Sequence, residues 1–323
     1  MLLKNSYQLN IVFWLFITVL FMSNSWFIIA NPVSGNLNFS RQWKEIQHLL
    51  KLKNIAYSFA FTEFSKHEIE LVENVIQQGF RNIVSVGGDG TLHNVVNGIM
   101  MQTYTKTSDI TIGVIPLGTG NDWIKTYNIP NSIHEAINII HRKNIIIQDI
   151  GVLKTSDDKT TYFCNVAGSG YDGYIVNKLK SLKKFGSISY LLAGIYGLLF
   201  YKKSIFKILF DDKIIETSCL MAIIGICKFS GGGMQFTKNV NTSDGLFDIT
   251  IAKNLTFWDL ILNLPKLYSG KIVNHKKVAT YKTKKIIVTP LSSEPYIQAD
   301  GELIGTGKVS FAIKQKAIQF VIS

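Results

Sequence analysis

SVGGDGTLHN, residues 85–94, places three glycines around one aspartate directly after a short apolar run. An Asp-Gly pair is a strong signal for a two-residue hairpin turn, because both residues tolerate positive φ. A hairpin would continue with alternating apolar residues. Instead, the apolar residues recur at the spacing of one helical face, namely Leu92, Val95, Val96, Ile99 and Met100. The stretch therefore predicts a strand, a glycine-rich turn and a helix whose first amides suit a phosphate.

Two further polar loops follow apolar strand-like runs. NPVSG (31–35) comes after WFIIA (26–30), and PLGTGNDW (116–123) comes after ITIGVIP (110–116). Parallel strands end on the same side of a sheet, where α/β proteins bind their ligands. We therefore expect the three loops to converge at one edge and to form a nucleotide cradle.

Strand-like and helical stretches alternate in the first part of the chain. Between the loops lie a polar helix around 39–52, a strand at 56–62 and a helix with Ile69, Val72 and Ile76 on one stripe. Further helical pieces follow near 121–127 and 131–142. This alternation predicts an α/β domain with a parallel sheet over residues 22–145.

The pattern changes after residue 145. Short strand-like runs dominate residues 146–323, a hairpin is expected at FDDK (210–213), and helices are expected only at about 174–202 and 256–268. We predict that these residues form a β-rich second domain, an antiparallel sandwich. The cleft between the two domains is the expected ligand site.

Composition restricts the class of partner. The formal net charge of +12 favours acidic partners such as phosphorylated small molecules or an anionic membrane surface. Nucleic acid is not expected, since no nucleic-acid motif is recognisable. Three cysteines without CxxC spacing indicate a reducing compartment and no zinc cluster. Nothing in the sequence decides between a monomer and a homodimer.

The N-terminus allows two interpretations. Residues 11–22 are apolar, and together with 26–30 they almost reach the length of a membrane span. However, WFIIA reads as the first strand, which cannot also belong to a transmembrane helix. We interpret residues 1–21 as a doubtful apolar extension ahead of a start at Met22. A membrane anchor is the alternative.

Two other glycine-rich stretches do not carry a standard nucleotide motif. GTGKVS (305–310) lacks the upstream glycine of a P-loop. GSGYDG (168–173) matches GxGxxG after a strand, but no strand ending in an acidic residue follows about 20 residues later. Dinucleotide binding is therefore not expected at this second stretch.

Taken together and in this order, NPVSG, GGDGT and PLGTGNDW resemble the catalytic domain of the diacylglycerol kinase and sphingosine kinase superfamily, in particular its soluble bacterial lipid kinases. The likeness continues through NVAGSGYDG (165–173), SDGLFDI (243–249) and ADGE (299–302). NAD kinases share GGDGT but lack the PLGTGND loop and the DGLFD and DGE motifs. The resemblance implies an ATP-dependent phosphotransferase acting on diacylglycerol, or on a sphingoid base or ceramide.

The resemblance also implies a set of nucleotide-binding residues in the three loops and after the second strand. They are Asn31, Pro32, Val33, Ser34, Gly35, Thr62, Gly87, Gly88, Asp89, Gly90, Thr91, Leu92, His93, Asn94, Gly118, Thr119, Gly120, Asn121 and Asp122. Relatives often carry Asn and Glu where this chain has His93 and Asn94. Mg²⁺ would bridge the phosphates of the ATP.

The same resemblance implies the metal and catalytic residues of the second domain. The Asp244 carboxylate, with the main-chain carbonyls of Asn241 and Leu246, would hold a structural Mg²⁺, and hard oxygen donors suit that ion. In ADGE, a tight hairpin would present Asp300 near the metal and Glu302 as general base. Either Glu302 or Asp89 could accept the proton, and we expect Glu302. A binding protein without turnover would not need all four carboxylates.

The segment from Lys178 to Lys203 suggests how a lipid is reached. Lys178, Lys180, Lys183 and Lys184 precede an apolar stretch too short to cross a bilayer. A buried core helix explains this equally well. The functional interpretation is an interfacial helix that docks transiently on anionic lipid. We accordingly expect a cytoplasmic protein, peripheral at the inner face of the membrane.

Overall fold

The computed structural model describes residues 24–34, 38–118, 120–179, 194, 196–238 and 240–323. Predictions for residues 1–21, Gly35 and Thr119 lie outside the described residues. The same holds for three of the four lysines of the proposed interfacial helix, namely Lys180, Lys183 and Lys184.

The first part of the chain is an α/β unit. Its strands are β1 (Trp26–Ala30), β2 (Tyr57–Phe61), β3 (Asn82–Gly87) and β4 (Thr111–Pro116). Its helices are α1 (Phe39–Leu52), α2 (His67–Gln77), α3 (Asp89–Met101), α4 (Asp122–Thr126) and α5 (Ile133–Arg142). The strands pair in parallel in the order β2-β1-β3-β4. The parallel α/β sheet is therefore confirmed.

The helix after GGDGT forms as its apolar spacing predicts. All five stripe residues of α3, from Leu92 to Met100, are buried. Strands β3 and β4 are buried on both faces along their whole length, as expected for strands covered by helices on each side. The turn at 87–91 therefore connects a strand to a helix and is not a hairpin, as the apolar stripe predicts.

The rest of the chain is rich in antiparallel strands. They are β5 (Asn144–Thr155), β6 (Thr160–Phe163), β7 (Val166–Gly170), β8 (Ser204–Phe210), β9 (Lys213–Gly225), β10 (Phe229–Ser230), β11 (Met234–Gln235), β12 (Phe247–Lys253), β13 (Val278–Thr283), β14 (Lys285–Pro290), β15 (Tyr296–Ala299), β16 (Glu302–Thr306) and β17 (Val309–Ile322). In the described part of the chain, the helices α6 (Tyr171–Leu179), α7 (Phe257–Leu262) and α8 (Leu264–Tyr268) pack against them. The β-rich, antiparallel second part is confirmed, and β8 and β9 form the hairpin expected at FDDK.

The last strand joins the two parts of the molecule. Near its end β17 pairs in parallel with β4, at Gln319 and Phe320, while along its length it pairs antiparallel with β5 and β14. Fifteen strands therefore belong to one hydrogen-bonded sheet. The division of the chain at residue 145 stays a prediction, and the sheet continues across it.

The helices of the second part differ in extent from those expected. Helix 256–268 is split at Asn263, because Pro265 has no N–H and opens a new first turn. Of the helix expected at 174–202, residues 198–202 are not helical, and Leu199 N donates to Tyr196 O (3.1 Å) in a tight turn there. In the part of the chain that the structure describes, every helix is too short or too polar to span a bilayer.

Candidate active site

The three polar loops meet at the carboxyl ends of β1, β3 and β4, which are neighbours in the sheet. Asn31 N donates to Val86 O (3.0 Å) and Leu117 N donates to Gly87 O (2.9 Å), so each loop leaves the sheet beside the next. Asn31 Nδ2 also donates to Thr91 Oγ1 (3.3 Å). The predicted convergence of the loops is confirmed.

Two loops approach so closely that side chains would not fit between them. A Cβ at Gly118 would lie 2.7 Å from Gly88 Cα, far inside normal van der Waals contact. The glycines therefore permit contact of bare backbone, as a phosphate cradle at a helix N-terminus requires.

Asp89 connects the GGDGT loop to the helix that follows PLGTGND. Its carboxylate accepts hydrogen bonds from Asp122 N (3.0 Å) and Trp123 N (3.3 Å), the first amides of α4. Burial, together with the nearby Asp122 carboxylate, raises the pKa of Asp89 to about 6. The Asp89 carboxylate therefore holds the start of α4 against the GGDGT loop.

A buried carboxylate that the sequence analysis did not single out lies behind the first loop. Glu68 of α2 is 2% exposed, and it accepts from Asn31 Nδ2 (3.4 Å) and Asn94 Nδ2 (3.1 Å). Burial raises its pKa. Glu68 thus ties two predicted nucleotide residues together. Its spacing of four residues from Val72, on the apolar stripe of α2, is the signal that could have placed it inside.

The ADGE motif forms the tight hairpin that the sequence predicts, between β15 and β16. Asp300 and Gly301 have φ values of 51° and 80°, which matches the type I′ turn favoured by Asp-Gly. The Asp300 carboxylate accepts from Cys164 N (3.1 Å) and Asn165 N (2.9 Å) and lies 3.0 Å from His93 Nδ1. Asp300 is therefore an anchor of the hairpin.

Glu302, at the other side of this turn, faces the glycine loop. A Cβ at Gly90 would lie 2.9 Å from Glu302 Oε1, so the carboxylate sits directly over the first turn of α3. Of the three predicted catalytic acids, Asp89 and Asp300 are tied to backbone amides. Glu302 is the carboxylate that is presented to the loops.

An apolar cavity of about 140 Å³ adjoins the same hairpin. Its walls come from α6, β7, β9, α7 and α8, and include Val166, Ile175, Ile223, Leu260, Leu264 and Leu267. Gly301, from the turn between Asp300 and Glu302, also lines it. The cavity and the glycine loops therefore meet at one turn.

One carboxylate stands in this apolar cavity. Asp172 Oδ2 accepts from Gln298 Nε2 (3.1 Å), whereas its buried Oδ1 has no hydrogen-bond partner among the residues that the structure describes. Burial raises the pKa of Asp172 to about 6. Asp172 is not among the predicted site residues, because it lies inside GSGYDG, a stretch that was considered only as a possible dinucleotide-binding motif.

The glycines of GSGYDG serve packing. A Cβ at Gly168 would overlap the Asp172 carboxylate, and one at Gly173 would overlap Tyr296 O of β15. Gly170 has a φ of 124°, which other residues rarely adopt. The motif therefore seats α6 against the hairpin and orients Asp172.

The predicted structural metal loop is compact. Asp244 Oδ1 accepts from Leu246 N (3.0 Å), Asp244 Oδ2 lies 3.0 Å from Lys282 Nζ, and Asn241 Oδ1 accepts from Ser243 N (3.1 Å). One carboxylate plus main-chain carbonyls is a set of hard donors that fits Mg²⁺ chemically. Within the described ranges no cluster of three or more His, Cys, Asp or Glu side chains could hold a metal ion.

The other predicted nucleotide residues take varied positions. Pro32, Val33 and Ser34 form the turn after β1, and Thr62 follows β2 with its N–H donating to Ala30 O (3.0 Å). The side chain of Leu92 belongs to the core.

The residues of the third loop keep it tightly folded. Asn121 Nδ2 donates to Gly118 O (2.7 Å), and a Cβ at Gly120 would lie 3.3 Å from Asp89 Oδ2. Nucleotide contact by these positions stays a prediction.

Comparison with known proteins is consistent with this geometry. Residues 25–153 match the family described as diacylglycerol kinase catalytic domain, and residues 165–322 match the family described as YegS C-terminal NAD kinase beta sandwich-like domain. Residues 25–153 therefore belong to the diacylglycerol kinase catalytic-domain family. Membership of this lipid kinase family supports a phosphotransferase that uses a nucleotide.

Individual members of the family are similar over most of the chain. A diacylglycerol kinase of Staphylococcus aureus (strain bovine RF122 / ET3-1) is 28% identical over 291 residues, which cover 88% of this chain and 88% of that protein. A diacylglycerol kinase of Staphylococcus saprophyticus is 27% identical over 285 residues, covering 86% and 88%. The crystal structure of a diacylglycerol kinase from Bacillus anthracis str. Sterne shares the fold, with a TM-score of 0.70 at 19% identity over 93% of this chain and 97% of that one.

Proposed function

We propose that the protein is an ATP-dependent lipid kinase that transfers the γ-phosphate to the hydroxyl of diacylglycerol and produces phosphatidic acid. One observation carries the proposal. The turn that presents Glu302 to Gly90 of the glycine loop also contributes Gly301 to the wall of the apolar cavity. A hydroxyl on an apolar body held in that cavity would meet a phosphate on the loops beside a carboxylate.

The chemistry asked of the protein is modest. The lipid hydroxyl oxygen forms a bond to the γ-phosphorus, the bond from that phosphorus to the bridging oxygen of ADP breaks, and the hydroxyl proton passes to Glu302. Phosphoryl transfer depends mainly on alignment and on charge stabilisation. The loop amides at the start of α3 supply part of that stabilisation.

Mg²⁺ is proposed in two places. When bound to the ATP phosphates it would neutralise their charge. The Asn241–Leu246 loop would hold a second, structural ion through the Asp244 carboxylate and main-chain carbonyls. Asp149, beside this loop, accepts from Gly245 N (2.7 Å) and Lys316 N (2.6 Å), so an ion there would stabilise the contact of the loop with β5 and β17.

The acceptor is proposed from the cavity. Its apolar walls suit acyl chains, and Asp172 Oδ1, which has no partner within the described part of the chain, can accept a hydrogen bond from a hydroxyl. The same carboxylate would also attract an ammonium group, which favours a sphingoid base as the second candidate acceptor. Ceramide, or a regulatory protein that binds without turnover, are the remaining alternatives.

We further propose that the enzyme works in the cytoplasm and docks transiently on anionic lipid at the inner face of the membrane. The net charge of +12 supports this, as do the exposed Lys178 and the exposed apolar Trp258 and Leu262 on α7, a helix that also lines the cavity. The three cysteines are free and buried, which fits a reducing compartment.

Labelled ATP, Mg²⁺ and a panel of lipid alcohols test the proposal. The panel contains diacylglycerol, ceramide and a sphingoid base, in micelles and in vesicles of increasing anionic lipid content. We expect label on diacylglycerol, and faster transfer as the anionic fraction rises. Absence of label on every lipid would refute the kinase assignment, and label only on the sphingoid base would replace the acceptor.

Glu302→Gln tests the general base in the same assay. General-base catalysis contributes roughly 10²- to 10⁴-fold, so we expect kcat to fall within this range while the KM for ATP changes little. Glu294→Gln, an exposed glutamate just before β15, is the matched control and should retain full activity. Undiminished transfer by Glu302→Gln would remove Glu302 as base.

A further inference from the structure

One face of α3 contacts the second part of the molecule. His93 and Asn97 are four residues apart and therefore lie on the same side of the helix, and both side chains are buried, at 5% exposure each. Both belong to the helix that begins in the glycine loop, but neither side chain points back along that loop. The contacts of this face lead to β6 and to the ADGE hairpin.

Asn97 binds the backbone of β6. Tyr162 N donates to Asn97 Oδ1 (2.9 Å), and Asn97 Nδ2 donates to Tyr162 O (2.8 Å). Strand β6 pairs only with β5 among the described strands, so the Asn97 amide satisfies both main-chain groups of Tyr162 as a neighbouring strand would. The helix is thereby held in a defined position against β6.

His93 extends this contact to the hairpin. Its Nε2 lies 3.3 Å from Asn97 Nδ2, and its Nδ1 lies 3.0 Å from Asp300 Oδ2. Since a carboxylate only accepts, Nδ1 donates to Asp300. The other partners of Asp300, the amides of Cys164 and Asn165, belong to its own half of the molecule.

We infer that His93 is a positioning residue, which sets the hairpin carrying Glu302 against the helix that carries the phosphate loop. The inference rests on the proposed function. ATP would lie on one part of the molecule and the proton acceptor on the other, so their alignment depends on the contacts between α3 and the hairpin. A displacement of about 1 Å in such an arrangement can cost on the order of 100-fold in rate.

Two substitutions separate the hydrogen bond from the volume of the ring. His93→Phe keeps a ring but removes the donor. His93→Asn removes the ring but places an amide nitrogen where Nδ1 stands. His141→Ala, at an exposed histidine in α5, is the matched control. kcat and the KM for ATP are measured for each variant, together with amide hydrogen exchange over residues 296–306.

We expect His93→Phe to lower kcat about 10- to 100-fold with the KM for ATP within about threefold of wild type, and to speed exchange in the hairpin. His93→Asn should stay within about threefold of wild type in kcat. The reverse order of the two variants would overturn the inference, since it would show that only packing matters. A tenfold loss in His93→Asn overturns it even if His93→Phe does not fold.

The exchange measurement distinguishes this inference from the proposed function. If wild type transfers phosphate to no lipid, the function fails, yet faster exchange of the hairpin in His93→Phe and not in His93→Asn still supports the positioning role. Unchanged exchange in His93→Phe contradicts that role whatever the activity.

Discussion

At the scale of single residues, the acidic side chains of the site divide by their partners. Asp89 and Asp300 accept hydrogen bonds from backbone amides and hold loops together, whereas Glu302 is presented over Gly90. Before the fold is known, the three acids look alike, because each stands in an Asp-Gly or Gly-Glu turn. Their different tasks follow from amides that are distant in sequence, up to 136 residues away in the case of Asp300.

The half-buried Asp172 leads to a prediction about stability and pH. Its pKa of about 6 in the folded state exceeds its ordinary value of 3.8, so between these values only the folded protein holds the proton. The free energy of unfolding therefore falls as pH rises through this window, and above it the charged carboxylate destabilises the folded protein. Asp172→Asn should raise the melting temperature at pH 7.5, and the gain should shrink below pH 6.

Thermal unfolding between pH 4 and pH 8 checks this prediction. Asp212→Asn, at an exposed aspartate in the turn before β9, is the control and should show no such trend. A variant at position 172 that is less stable than wild type at pH 7.5 would mean that the charge is compensated in the folded protein.

At the scale of elements, the strands and helices of the first part follow directly from the apolar spacing. Strand β1 and helix α1 lie where the sequence predicts them, β4 begins one residue later than predicted, and β2 is shorter by one residue at each end. Local patterns suffice here because each strand is a continuous apolar run between polar loops. The ends of α7 and α8 are harder to predict from the sequence, because a proline inside an apolar stretch determines where one helix ends and the next begins.

Gly98 lies at the point where α3 packs closely on α2. A Cβ there would lie 2.8 Å from Val72 Cβ and 3.0 Å from Ile69 O, so the two helices touch through this residue. Gly98→Val should therefore lower the free energy of unfolding by about 1–3 kcal/mol, as overpacking does. Denaturant unfolding measures the change. Met101→Val, exposed at the end of the same helix, is the control, and equal stability of the two variants would contradict the close contact.

At the scale of the whole molecule, the sheet is the feature that sequence analysis could not anticipate. Two domains with separate sheets were the expectation, but β17 pairs with β4 and with β5 and carries one sheet through both parts. Strand partners depend on long-range geometry, and the last strand gives no local sign that it returns to the first unit.

The cavity is likewise a property of the whole molecule. Its walls come from segments that lie between residues 166 and 301. No single stretch of sequence announces it, because each wall residue reads as an ordinary core residue of its own strand or helix. The carboxylate of Asp172, which stands among them, distinguishes the cavity from an ordinary apolar core.

Blocking the cavity tests most directly whether it holds the lipid acceptor beside the nucleotide loops. Ile175→Trp would fill it from α6, and Ile214→Trp, at a residue 60% exposed on β9, is the matched control. We expect Ile175→Trp to lower kcat/KM for diacylglycerol by about tenfold or more, with binding of an ATP analogue and the melting temperature near those of Ile214→Trp. Equal kcat/KM for the lipid in both folded variants would contradict the account.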